Sequence, residues 1–318
     1  MQNRTTDTLG KLNWDDLRFF LEVVRTRTAS GAAKRLNVDH TTVARRIREL
    51  ESALHTVLFD KSRAGGFVLT AEGRRLLAHA DPIEAAVHMA REQFSGGEES
   101  LAGHVRVGST EGFGCFFLAP QIAALTERHP ALSVDLLPVP HFVSLSKREA
   151  DVAIVLERPQ RGQYLSTRLC DYRLKLYGTR AYLDRHAPIR TAADLREHAF
   201  ISYVDDLAFS IELLYLERTV PGAAAHLRST SVIAQYFATL QGRALAILPC
   251  FMAEQNPLLV PVLGNEVMVT RQFWLSCRED LRNLRRIAFL WDYLRTVAEA
   301  NQALLMGESP EMIYVDGT

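Results

Sequence analysis

The chain has 318 residues, 47% of them hydrophobic and 23% charged, which suits about two or three globular modules and excludes a largely disordered protein. No apolar run approaches the roughly 18 residues of a membrane span, and residues 1–12 carry no signal-peptide core, so a cytoplasmic protein with no membrane partner is expected. The formal net charge is zero, yet Arg25 to Arg63 hold nine Lys or Arg against four acids, a net +5 that suggests contact with a polyanion.

Trp14 to Arg25 place Leu17, Phe20, Leu21 and Val24 on one helical face, which predicts a first helix. Ser30 reads as the cap of a second, Gly31 to Leu36, and Asp39 as the cap of a third, His40 to Leu54. Val43, Ile47, Leu50 and Leu54 give the third helix an apolar face, and Thr41, Thr42, Arg45, Arg46 and Arg48 occupy the other. Val57 to Phe59 and Phe67 to Leu69 read as a hairpin whose tip carries Lys61 and Arg63. Three helices and a hairpin over residues 12–70 describe a winged helix-turn-helix whose third helix reads double-stranded DNA. Arg45 is the preferred groove-reading side chain, because guanidinium can bond guanine bidentately, and the threonines can reach bases or phosphates. Lys61 and Arg63 suit phosphate or the minor groove.

Thr70 can cap a linker helix over residues 71–95, in which Leu76, Ala80, Ile83, Val87, Ala90 and Phe94 recur at spacings of 4, 3, 4, 3 and 4. That seam predicts self-association, with Pro82 predicting a kink or break. Residues 96–100 read as a hinge. From 101 to 300 strands and helices alternate, which favours an α/β region with mainly parallel sheets. The expected strands are His104–Val107, Ser133–Leu137, Val152–Leu156, Leu174–Tyr177, Phe200–Tyr203, Leu245–Leu248 and Val267–Leu275. The expected helices are Phe116–Arg128, Ile211–Arg218, Val232–Leu240 and Leu281–Ala298. Residues 301–318 are a C-terminal tail, frayed from 307 onward.

Gly108 to Gly114 follow a strand and open a helix, with Asp135 about 20 residues on, which imitates a dinucleotide fingerprint. The third glycine would fall at Phe117, where a large side chain obstructs helix–strand packing. What survives is a helix start at which Ser109 and Thr110 could hold a small polar or anionic ligand, or merely cap the helix, with the Glu111 carboxylate competing for the same positive end. Phe113 beside them, Phe142 and Ser144 after the second strand, and Tyr203 and Pro249 at later strand ends are the other candidate pocket residues. Cys115, Cys170, Cys250 and Cys277 form no CxxC pair, and neither a metal cluster nor a catalytic motif is readable. No cofactor, metal or catalytic residue is therefore expected. Two other readings stay open: a small-molecule binding protein or enzyme whose N-terminal helices only dimerise it, and a thiol redox sensor, which would need Cys115 exposed with a depressed pKa.

Residues 15–62, with the string DLRFFLEVVRTRTASGAAKRLNVDHTTVARRIRELESALHTVLFDKS, resemble the DNA-binding region of LysR-type transcriptional regulators. LAGHVRVGS, LAPQIAALTERHPALSVDL, EADVAIVL, DLREHAFI and LAILP resemble that family's effector-binding region. The resemblance implies an α+β multidomain regulator: a winged helix-turn-helix, a linker helix, and a two-subdomain α/β region like a periplasmic binding protein, with a small-molecule effector of unknown identity in the cleft. The lobes would be 101–165 with 266–300, and 166–265. It also implies a dimer that pairs into a tetramer. The chain departs from the family at Asp39-His40-Thr41-Thr42, where many members have Ser-Gln-Pro-Ala, and at Ala44, where the usual residue is Ser. It departs again at His55, Lys61 and Ala244, where Gly, Arg and Gly are common.

Overall fold

Caps decide where the N-terminal helices begin. In the computed structural model, which describes residues 13–62, 66–94, 101–139, 145, 149–160, 162–264 and 266–316, the chain divides into two units, Met1–Gly96 and Gly97–Thr318. In the first, α1 (Trp14–Thr26) starts at Asn13, whose side chain accepts from the Asp15 N–H at 3.0 Å. Helix α2 (Ala29–Leu36) starts two residues earlier than expected, because Thr28 rather than Ser30 caps it: the extended Thr28 turns its oxygen to the Gly31 N–H at 3.0 Å. Asp39 caps α3 (His40–Ala53) as expected, accepting from the Thr41 N–H at 2.8 Å.

The backbone at His55 has φ 51°, a left-handed conformation that glycine adopts at no steric cost. This accounts for the glycine that resembling sequences place there. Strands β1 (Phe59–Ser62) and β2 (Gly66–Leu69) pair antiparallel. At Gly66 (φ 71°) an added Cβ would lie 2.4 Å from the Arg27 carbonyl oxygen, and the Phe67 N–H donates to that same oxygen at 2.9 Å. Only glycine lets the hairpin approach the α1–α2 turn this closely.

Helix α4 (Ala71–Phe94) is capped by the Thr70 hydroxyl, which accepts from the Gly73 N–H at 2.9 Å. Of the kink or break expected at Pro82, there is no break: the helix is continuous through it. The carbonyl deprived of its donor is that of Ala78, which is exposed, so water can satisfy it. Leu17, Phe20, Leu21, Val43, Ile47, Leu50 and Leu58 form the buried core of this unit.

The second unit is one sheet with helices around it. Its strands are β3 (Gly103–Thr110), β4 (Leu132–Val139), β5 (Val152–Val155), β6 (Tyr164–Thr179), β7 (Ala199–Ser202), β8 (Ala224–Arg228), β9 (Leu245–Pro249), β10 (Leu259–Val262) and β11 (Met268–Arg278). Their order is β4-β3-β5-β11-β6-β9-β7-β8, with β10 also on β6. Strands β4, β3 and β5 are parallel, as are β9, β7 and β8, but β6 and β11 pair antiparallel with each other and with their neighbours. The sheet is therefore mixed, not mainly parallel as expected. The physical reason is that β6 and β11, at 16 and 11 residues, carry the chain between the two parallel groups in opposite directions. Their register slips between Phe273 and Trp274, where one group gives way to the other.

The first helical stretch begins at Glu111 rather than Phe116: α5 (Glu111–Phe113) passes through a π-turn, Gly114–Leu118, into α6 (Ala119–Arg128). The others are α7 (Arg180–Leu183), α8 (Leu216–Thr219), α9 (Val232–Leu240), α10 (Cys250–Ala253), α11 (Arg285–Ala300) and α12 (Gln302–Leu305). The C-terminal segment is not frayed over its described part. The Ile313 carbonyl accepts from Gln121 and Asn301, each at 2.8 Å, and Arg128 meets the Val315 carbonyl and the Asp316 carboxylate, each at 2.8 Å. Among the described residues no helix is long and apolar enough to cross a membrane.

Candidate functional site

In the first unit, α3 buries Val43, Ile47 and Leu50 and turns Thr41, Arg45 and Arg48 to solvent, with Thr42 half-buried. The Arg45 side chain is 55% exposed and reaches Glu49 at 2.8 Å. Such an exposed i,i+4 pair is worth about 0.3–0.5 kcal/mol, so the guanidinium is readily released to another acceptor. The Arg48 Nε donates to the Ala44 carbonyl at 3.2 Å. Thr41 donates its hydroxyl to Asp39 at 2.6 Å, and this bond, with the one from the Thr41 N–H, holds the Asp39 carboxyl below its usual range. Lys61 lies in β1 opposite Phe67. Its side chain, and Arg63 altogether, lie outside the described residues.

Arg46 differs from its neighbours. Its guanidinium bonds the buried Asp16 of α1 at 3.0 Å and lies 5.7 Å from the Phe19 ring centre. Burial pushes the Asp16 carboxyl above its usual range even with Arg46 beside it. Arg46 thus fastens α3 to α1, a task that its place on the polar face did not reveal. Arg46→Ala should destabilise the protein by about 1–3 kcal/mol, because Asp16 is left buried without its partner. An unchanged thermal midpoint would remove that role.

The linker seam divides in the structure. Ala80 is fully buried and Leu76 packs against the same core, so these two serve the chain's own interior rather than a second copy. Ile83 is 42% and Val87 38% exposed, and Ala90 is also exposed. Arg25 of α1 holds the helix in this rotation by bonding Glu84 at 3.2 Å. The side chain of Phe94 lies outside the described residues.

In the second unit, a cavity opens at the carboxyl ends of β3, β7 and β9, with β6 and β11 as its floor, the place where open α/β sheets bind ligands. Thr110, Phe113, Tyr203 and Pro249 line it, as expected, together with Glu111, Tyr172, Phe209, Tyr215, Thr230, Phe251 and Phe273. Its volume is about 40 Å3, enough to admit water or a small ligand. Ser109 does not join it: its buried hydroxyl donates to the Thr110 carbonyl at 3.1 Å. Phe142 and Ser144 lie outside the described residues.

Glu111 does not compete for its own helix start. Its carboxylate crosses to the start of α9, accepting from the Ser231 hydroxyl at 2.9 Å and the Ile233 N–H at 3.5 Å. Gly112 permits that approach, since an added Cβ would lie 2.7 Å from the Met252 sulfur and 3.0 Å from Val232. The floor is a stack of rings, with Phe273 4.2 Å from Tyr172 and 4.3 Å from Phe113. Burial raises the phenols of Tyr172, Tyr203 and Tyr215, so they remain hydroxyls at neutral pH. The half-buried Cys115 thiol is likewise pushed up, by burial and then by Glu111, which argues against the redox-sensor reading.

A helix-turn-helix unit with a bare cationic helix face, beside an α/β unit with a cavity at its strand ends, defines a DNA-binding regulator with a ligand-sensing module. Residues 14–74 match the family model "Bacterial regulatory helix-turn-helix protein, lysR family", and residues 98–299 match "LysR substrate binding domain". The chain belongs to the LysR family of transcriptional regulators, and it is a regulator rather than an enzyme. It is 30% identical over 278 residues to the Mau operon transcriptional activator of Paracoccus denitrificans, covering 86% of this chain and 92% of that one. It is 25% identical over 290 residues to the transcriptional activator TtdR of Escherichia coli, covering 88% and 91%. A full-length OxyR variant from Pseudomonas aeruginosa shares the fold with a TM-score of 0.68 at 19% identity, over 89% of this chain and 97% of that one.

Proposed function

We propose that α3 enters the major groove of an operator with Arg45 reading a base edge, while Thr41, Thr42 and Arg48, with Lys61 and Arg63 of the hairpin, meet bases or phosphates. The observation that supports this most is the exposed face of α3: Arg45 is free of the core and Arg46 alone is tied inward. Ile83, Val87 and Ala90 pair two copies through α4, so that two recognition helices reach half-sites about one helical turn apart, or a multiple. Two such dimers form a tetramer. The protein works in the cytoplasm, where its DNA is.

The effector occupies the cavity lined by Thr110, Phe113, Tyr203 and Pro249, between the lobes 101–165 with 266–300 and 166–265. It alters transcription by favouring one arrangement of the assembly, since equal affinity for both would shift nothing. Arg45→Ala should weaken binding to a selected operator by about 1–3 kcal/mol and relax preference at one base pair. Fluorescence anisotropy with duplexes enriched from a random pool reads both. Unchanged affinity and preference would remove Arg45 from the groove.

A further inference from the structure

The cavity's lining is chemically one-sided. Its polar side chains are the Glu111 carboxylate and the hydroxyls of Thr110, Thr230, Tyr172, Tyr203 and Tyr215, and no Lys, Arg or His is among its described lining residues. Each of these groups can accept a hydrogen bond, and only the hydroxyls can donate. The guanidinium whose charge reaches Tyr172 and Tyr215 is Arg271, and it is already ion-paired with Glu212. A carboxylate or phosphate entering here would meet Glu111 with no cation among the described lining residues to offset the repulsion.

Two phenols also stand without partners. Tyr172 is 4% and Tyr203 6% exposed, and both line the cavity. Tyr215 donates to the Ile247 carbonyl at 3.2 Å, yet among the described residues no hydrogen bond is made by the Tyr172 or Tyr203 hydroxyl. Both hydroxyls therefore face the space with their hydrogen-bonding capacity free for whatever enters it. Glu111 spends two acceptor positions on Ser231 and Ile233, of about four that a carboxylate offers.

We infer that the cavity takes a small organic ammonium ion, bonded to the Glu111 carboxylate and the Tyr203 hydroxyl and lying among the rings of Phe113, Tyr172, Phe251 and Phe273. An ammonium group has donors only, and every polar side chain of the described lining can accept from it. Its charge suits the carboxylate. The rings offer an apolar surround for its substituent, and a cavity of about 40 Å3 suits a short one. The inference rests on the reading of this cavity as the effector site and names its ligand class.

The test uses the full-length protein and three matched series: primary alkylammonium ions from methyl to butyl, the alcohols of equal size, and the carboxylates of equal size. Calorimetry and thermal shift should show at least one ammonium ion binding about tenfold or more tightly than its alcohol, as a charge-assisted bond predicts, and no binding of the carboxylates. Glu111→Gln should erase the ammonium preference while leaving alcohols unaffected. Tyr203→Phe, which keeps the ring, should weaken the ammonium ion about five- to tenfold, and it carries the test if Glu111→Gln fails to fold. Equal or tighter binding of an alcohol or carboxylate overturns the inference, as does failure of every ammonium ion to bind at millimolar concentration. If the same preparation then still binds duplex DNA, the regulator reading survives and only the ligand class falls.

Discussion

Glutamate at both Ile83 and Val87 is expected to separate the proposed dimer into monomers and to weaken operator binding about 10²–10⁴-fold, the gain that linking two half-site contacts provides. Both side chains are more than a third exposed on α4, so the changes leave the core of the chain intact. Leu76 and Ala80 face that core, and charges there would unfold the unit instead of separating two copies. The test is specific for this reason: light scattering should report a monomer while the thermal midpoint stays near that of the parent. An intact oligomer with parent affinity would mean that the exposed pair on α4 is not where the copies meet.

How much of this was readable beforehand depends on how local the determining physics is. Helices α1 and α3, the cap at Asp39 and the length of α9 follow from apolar spacing and capping within a few residues, and they stand within a residue of where they were expected. The cap at Thr28 was missed because Ser30 and Thr28 are chemically equivalent in sequence, and only the extended backbone at Thr28 distinguishes them. Strand β8 was missed because its residues are mostly exposed and do not alternate, so no period-2 signal marks it.

Long-range contacts were less legible. Nothing near Arg46 in the sequence announces Asp16, 30 residues away. Thr110, Phe113, Tyr203 and Pro249 were found because strand ends are where such folds bind ligands. Tyr172 and Phe273 were not, because they lie mid-strand in β6 and β11, and only the crossing of those strands brings them under the cavity. The Glu111 carboxylate is the sharpest case. Its position next to a helix start suggested a local role, whereas its partners, Ser231 and Ile233, lie 120 and 122 residues on.

Ending the chain after Ser309 is expected to destabilise the second unit by about 2–4 kcal/mol, although the removed segment buries little apolar surface. Ile313, its bulkiest aliphatic residue, is 51% exposed, so hydrophobic burial is a minor term. The hydrogen bonds are the larger one. Gln121 and Asn301 are 0% and 1% exposed, and the segment supplies the acceptor for Gln121 Nε2 and both an acceptor and a donor for Asn301, at 2.7–2.8 Å. Each buried group left without its partner costs about 1–3 kcal/mol, reduced where water can follow into the gap. The exposed Arg128–Asp316 pair adds little, since surface ion pairs are worth about 0–1 kcal/mol. Denaturant unfolding of the full and shortened chains reads the difference as a shift in midpoint. Asn301→Ala in the full chain should reproduce a large part of it, because that side chain also bonds the Val297 carbonyl at 2.9 Å. Coincident unfolding curves for all three proteins would mean that solvent replaces the segment at no cost.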